Sequence, residues 1–207
     1  MKRQIGYMIG LTVLAAVAVQ GSQQQLASSM AETRVETART HEQLNSTLGT
    51  LNALTTQTKG DLRPAYNNFC AEVTKTQAAS ARTSTRVKWM DTDGQQYFKT
   101  WQDTVNSIAN ASLRKKAQKR MDTVKASYNK ARTALTEAGE KFKPFLSNLT
   151  DIQKALSTDV TAGGVKAIRS TVKSANWNQQ FVDKSINTAL KELGQVEKGL
   201  STSSEGK

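Results

Sequence analysis

One cysteine, one histidine and two prolines in 207 residues leave little material for several kinds of protein. Cys70 has no intramolecular disulfide partner, and without Cys or His companions at short spacing it cannot nucleate a zinc cluster. A nucleophilic Cys70–His41 pair is formally conceivable, yet both residues lie inside long helical patterns with no glycine elbow to present them. Aromatic residues make up only 6% of the chain and hydrophobic residues 37%. That is poor material for a compact mixed core but enough for helices with narrow apolar stripes. Gly163-Gly164 lacks the Walker spacing and the following Lys-Ser/Thr of a phosphate loop. Asp91 with Asp93, and Glu137 with Glu140, are carboxylate pairs with no accompanying site chemistry. No catalytic, cofactor-binding or metal-ligating set is therefore expected, and the chain reads as something other than an enzyme.

What the chain does have is positive charge, 29 basic against 17 acidic side chains for a formal net charge of +12. Such an excess favours acidic partners. Lys2 and Arg3 precede the uncharged apolar stretch Ile5 to Val19, which ends at Gln20-Gly21-Ser22, the three-part layout of a secretory signal. Fifteen helical residues cover roughly 22 Å, short of a hydrocarbon core of roughly 30 Å, so a permanent inner-membrane anchor is the alternative rather than the first reading. Cleavage after Ala18 or after Gly21 is compatible with the small residues there. Ser22 stands where a lipoprotein would carry cysteine, so thioether lipidation is chemically unavailable at that site.

The rest is dominated by helical periodicity. Leu113, Ala117, Met121, Val124, Tyr128, Ala131, Leu135, Ala138, Phe142, Leu146, Leu149, Ile152 and Leu156 recur in steps of three or four, predicting a helix of about 66 Å at about 1.5 Å per residue, bent near Glu140 to Pro144. Val165, Ile168, Val172, Ala175, Gln179, Val182, Ile186, Ala189, Leu193, Val196 and Leu200 form another stripe, with Gln179 as its polar register position. Ser157 to Gly164, with its glycine pair, reads as the turn between them, making the two helices antiparallel. A third stripe runs from Leu62 through Tyr66, Phe69, Val73, Thr76, Ser80, Thr83 and Val87 to Met90, after Gly60 as a stop and Asp61 as a cap. The segment from Ser22 to about Thr58, with Ser22 and Gln25 at capping-box spacing, predicts one more helix whose centre, Thr33 to Thr40, nearly lacks large apolar residues. A short linking helix, Gln95 to Ile108, leads through the capping sequence Asn110-Ala111-Ser112 to the Leu113 helix.

Two groups of residues are candidate binding sites. Arg114, Lys115, Lys116, Lys119, Arg120, Lys125, Lys130 and Arg132, interrupted only by Asp122, read as a basic helix face opposite the core stripe. It either docks on anionic lipid or an envelope polymer, or is simply a solvated face. Tyr97, Phe98 and Trp101 either form an exposed aromatic contact for a partner or cap one end of a bundle, and Trp89 and Trp177 admit the same two readings. Nucleic acid is not expected as a partner: the leader directs the chain away from it, and no recognition fingerprint is present.

Taken in order, Gly60-Asp61-Leu62 with Tyr66, Tyr97-Phe98 with Trp101, Asn110-Ala111-Ser112-Leu113-Arg114, and the Tyr128 to Leu146 run containing Lys141 and Pro144 give the chain a recognisable likeness. From roughly Ser22 to Leu200 it resembles a bacterial family of exported helical proteins known as domain of unknown function 2959. Members often resemble lipoproteins, from which this chain departs at Ser22. The family carries no assigned activity, so the resemblance transfers no catalytic residue.

These readings together predict an all-α protein, an elongated antiparallel helical bundle or set of coiled-coil hairpins with about four long helices and one short linking helix. Residues 1–21 are expected to be a signal peptide or N-terminal anchor, 22–200 one helical domain and 201–207 a disordered tail. The expected function is that of an exported envelope protein of structural or interaction type, periplasmic or secreted. Its expected partner is an unknown envelope protein or an anionic envelope surface. The thin, threonine-rich stripes of the first half leave homo-oligomer formation open as a way to cover them.

Overall fold

The computed structural model describes residues 5–57 and 59–201, with side chains described over 18–57 and 59–200. The expected signal peptide thus begins, and the expected tail ends, outside the described residues. Five helices follow one another: α1 (Ile5–Thr56), α2 (Arg63–Asn106), α3 (Ala111–Thr158), the short α4 (Ala162–Ala167) and α5 (Arg169–Ser201). The all-α class holds, with four long helices and one short one.

Several boundaries differ from the sequence reading. Ser22 does not cap a helix. It lies inside α1, where its hydroxyl donates back to the Val19 carbonyl at 3.0 Å, because the apolar stretch before it is itself good helix material. No break separates Met90 from Gln95, so the expected linking helix is the last part of a continuous α2. The reason lies on α3: the Tyr128 hydroxyl donates towards the Met90 carbonyl and the Asp91 carboxylate, both at 3.1 Å. Gly94 leaves the space that the Tyr128 ring occupies, since a Cβ there would collide with it. The short helix of the fold lies instead after α3. Thr161 caps α4 by accepting from the Gly164 amide at 3.3 Å, so the glycine pair belongs to the first turn of a helix and the chain reverses just before it. Gly164 is required there because a Cβ would strike the Asp159 carbonyl. α3 runs unbroken through Pro144, and Asn110 caps it as expected, accepting from the Leu113 amide at 3.0 Å. Gly60, at φ +83°, reverses the chain between α1 and α2 in a conformation that glycine adopts without strain.

The stretch read as one domain packs as two compact units, each drawing on all four long helices. Unit 1 comprises Met1–Arg34, Arg86–Arg132 and Lys191–Lys207. In it Leu26, Met30, Met90, Tyr97, Val105, Met121, Leu193 and Val196 are buried. Its helices pair antiparallel: Glu32 of α1 meets Arg86 of α2, Tyr128 of α3 meets Asp91 of α2, and Arg34 of α1 meets Glu197 of α5 at 2.9 Å.

Unit 2 comprises Val35–Thr85 and Thr133–Leu190. Its apolar core joins Leu44, Leu51 and Leu54 of α1, Phe69 and Val73 of α2, Phe142, Phe145, Leu149, Ile152 and Leu156 of α3, and Val182 and Ile186 of α5. Phe145, outside the stripe read from sequence, is fully buried, whereas Leu146 is only partly so. Where α1 and α2 lack large apolar residues they pack through hydroxyls. Thr40 bonds Thr83 at 2.9 Å and Thr47 bonds Thr76 at 2.7 Å. Beside them Arg82 donates to Glu36 at 2.7 Å, and Glu72 accepts from Gln43 at 2.7 Å and Ser46 at 3.1 Å. This seam explains why the α1 stripe looked empty at its centre: its buried positions are polar but satisfied, which removes the cost of burying them.

Candidate functional site

The amino-terminal half of α3 holds the densest charge in the molecule, eight basic side chains against Asp122 alone over 111–132, a net of +7 within the chain's +12. All eight are exposed, but they do not share one face. Arg114 folds back towards the preceding loop and donates to the Ile108 carbonyl at 3.3 Å. Arg120 reaches α5, donating to the Gly199 carbonyl at 3.2 Å. Arg132 turns to α2 and pairs with Asp91 at 2.6 Å. The single basic face expected from sequence is thus a collar around the exposed sides of the helix, with some members tied to neighbours. The cause is helical rotation: residues spaced by one, three, four and five cannot all project in one direction at 3.6 residues per turn. Among the described residues, Lys115, Lys116, Lys119, Lys125 and Lys130 carry charge that no ion pair offsets.

Lys125 belongs to the collar and also to a groove of about 430 Å³ between α2 and α3, together with Asp91, Lys99, Gln102, Asp103, Asn129 and Arg132. Phe98 and Tyr128 form its apolar part, their ring centroids 5.3 Å apart. Of the aromatic trio left open between a partner contact and a cap of the bundle, Tyr97 and Phe98 are core residues, 1% and 6% exposed, and Trp101, half-buried, packs at 5.3 Å, tilted, against Tyr97. These rings close unit 1 rather than facing a partner, because the α2 positions that carry them point inwards at helical spacing. Burial raises the Tyr97 hydroxyl to about 12, partly offset by the nearby Arg120 charge, and burial likewise raises Tyr128, with Asp91 adding to the effect. Both phenols stay protonated and act as donors or packing groups rather than as bases.

The exposed aromatics lie elsewhere. Trp89 on α2 is 53% exposed and stacks under the Arg86 guanidinium at 4.8 Å. Trp177 and Phe181 on α5 are 61% and 44% exposed. The sequence left Trp89 and Trp177 open between core and surface and did not single out Phe181. The signal was available: neither Trp177 nor Phe181 falls on the three-four stripe of α5 that Val172, Ala175, Val182 and Ile186 define.

His41 and Cys70 serve separate neighbours. The His41 ring bonds Asp183 of α5 at 2.8 Å, while Cys70 lies beside Tyr66, whose hydroxyl is raised to about 12 by burial first and by Cys70 second. Among the described residues no group of three or more His, Cys, Asp or Glu is placed to hold a metal ion. No helix of the described residues is long and apolar enough to cross a membrane.

With this geometry in hand, comparison with known proteins is informative at one point. A family model described as protein of unknown function (DUF2959) matches residues 18–197. The chain belongs to this family. No curated protein and no solved structure matches it. The family span takes in every candidate residue named above, from the groove to the exposed rings of α5.

Proposed function

We propose that this DUF2959 protein acts by binding, as an exported interaction protein of the bacterial envelope, and that the basic collar of α3 is where an acidic partner docks. The observation that carries this reading is the concentration of charge: more than half of the net charge of the chain sits on a 22-residue stretch of one helix whose eight basic side chains are all exposed. A cluster of that density attracts anionic head groups or acidic polymers at a range set by screening, about 8 Å at physiological salt. The ion pairs that the collar makes, such as Arg132 with Asp91, leave the outward lysines for a partner.

Retention of the protein on anionic liposomes and on envelope extract tests the reading. Retention should fall with added salt, and the apparent affinity for anionic liposomes should drop about a thousandfold or more when Arg114, Lys115, Lys116, Lys119 and Arg120 are replaced by glutamine, given about 1 kcal/mol per basic residue near an anionic surface. Salt-resistant recovery that the five substitutions leave unchanged would point instead to a different docking surface.

A further inference from the structure

α5 carries a second surface, in unit 2, that the collar does not account for. Trp177 and Phe181 stand one helical turn apart with their rings edge to face at 5.6 Å and both exposed to solvent. Neither belongs to the buried apolar cluster of unit 2. Lys173 lies one turn before Trp177 and Lys184 two turns after it, one turn beyond Phe181, both exposed, with exposed Arg169 preceding them. Between Arg169 and Leu190 the helix has a single carboxylate, Asp183, and that group is turned to α1, where it bonds His41. The neighbours across that flank are amides: Asn176 bonds Asn52 at 3.2 Å and Gln179 bonds Asn45 at 3.0 Å. The outward face therefore presents two aromatic rings framed by cations, with no exposed carboxylate of α5 among them.

We infer that this face of α5 is a docking surface for an anionic lipid bilayer, with the Trp177 and Phe181 rings seated at head-group depth and Lys173 and Lys184 set against lipid phosphates. Charge complementarity selects this occupant. A second copy of the chain would bring the same lysines together with no exposed α5 carboxylate to answer them, and like charges held close oppose such pairing. An anionic bilayer offers phosphate to the lysines and an amphipathic boundary to the rings, the environment in which tryptophan is enriched at membrane surfaces. Long lysine side chains at −4 and +7 from Trp177 can extend past the rings to reach that layer. This inference does not rest on the α3 collar, which lies in the other unit and acts through charge alone.

The test uses the full chain and vesicles of phosphatidylglycerol and phosphatidylethanolamine carrying brominated acyl chains. The quantity read is the emission of Trp177, obtained as the difference between the unsubstituted chain and Trp177→Phe. With anionic vesicles this emission should shift to the blue and lose most of its intensity to bromine. With brominated phosphatidylcholine vesicles it should be unchanged. Lys173→Gln with Lys184→Gln should raise the anionic lipid concentration needed for half-quenching about tenfold, whereas glutamine substitution of the α3 collar should leave quenching at saturating vesicles intact. Trp177 emission indifferent to anionic brominated vesicles would overturn the inference. So would a concentration-dependent dimer, seen by sedimentation, that Trp177→Ser with Phe181→Ser abolishes, because it would make a second copy the occupant.

Discussion

Glu72 shows how much a single side chain of the α1–α2 seam can report. Its carboxyl is held below the ordinary value of 4.5, first by the Lys75 ammonium at 2.6 Å and then by Gln43. A carboxyl depressed in the folded state adds stability above its unfolded value. As the pH drops through that value the unfolded chain takes up the proton first, so the contribution is lost on acidification. Denaturant midpoints should therefore be level from neutral pH down to about 5 and then fall, and Glu72→Gln should flatten the fall. An identical acid profile in the variant would show that other carboxylates set it. At this scale the sequence was legible where a residue's role is local. Asn110 caps α3 and Asp61 accepts from the Arg63 amide at 3.0 Å, both as expected from residue type. It was illegible where the role depends on another helix: nothing near Gly94 reveals that Tyr128, on α3, needs its missing side chain.

Among the elements, α3 holds the clearest internal conflict. Pro144 sits within it, exposed, and the helix continues on both sides. The ring removes one backbone donor and crowds the carbonyl of Glu140, a cost the surrounding packing of Phe142, Phe145 and Leu149 has to absorb. Pro144→Ala should stabilise the protein by about 2 kcal/mol in urea unfolding; a loss of stability would mean that the bundle is packed around the proline's geometry. The stripes of α3 and α5 were readable because their core positions are apolar and regularly spaced. The stripe of α2 was cut short because the run Asp91-Thr92-Asp93-Gly94 resembles a loop, whereas in the fold Tyr128 of α3 bonds this stretch of a continuous helix. The polar centre of α1 was seen as thin, but the sequence could not show that α2 supplies matching hydroxyls.

For the molecule as a whole, charge and stability are separable. The lysines of the α3 collar have side chains in solvent, and exposed charges contribute little to folding. Replacing Arg114, Lys115, Lys116, Lys119 and Arg120 by glutamine should leave the helical circular dichroism unchanged and move the unfolding free energy by less than about 1 kcal/mol, since only Arg114 and Arg120 give up a backbone bond. Loss of helicity would show that the collar is part of the packing. Fold class, helix number and the charged stretch were all legible at this scale from period and composition. The division into two units was not, because every long helix contributes to both and the apolar stripes of α3 and α5 run across the boundary without a gap.

The threonine seam has one more consequence, concerning alignment rather than strength. Thr40 faces Thr83 and Thr47 faces Thr76, so sliding α2 along α1 by one heptad would place Thr40 against Thr76, or in the opposite sense Thr47 against Thr83. Each slide would keep one hydroxyl pair and set the other threonine of α1 opposite Phe69 or Met90. What refuses the slide is the tight connection from Gln57 to Leu62, together with the apolar residues next to it and the Glu36–Arg82 pair. That connection works as a ruler, setting which of the heptad-related pairings the two helices adopt, and a chain lengthened there by one heptad would have to choose.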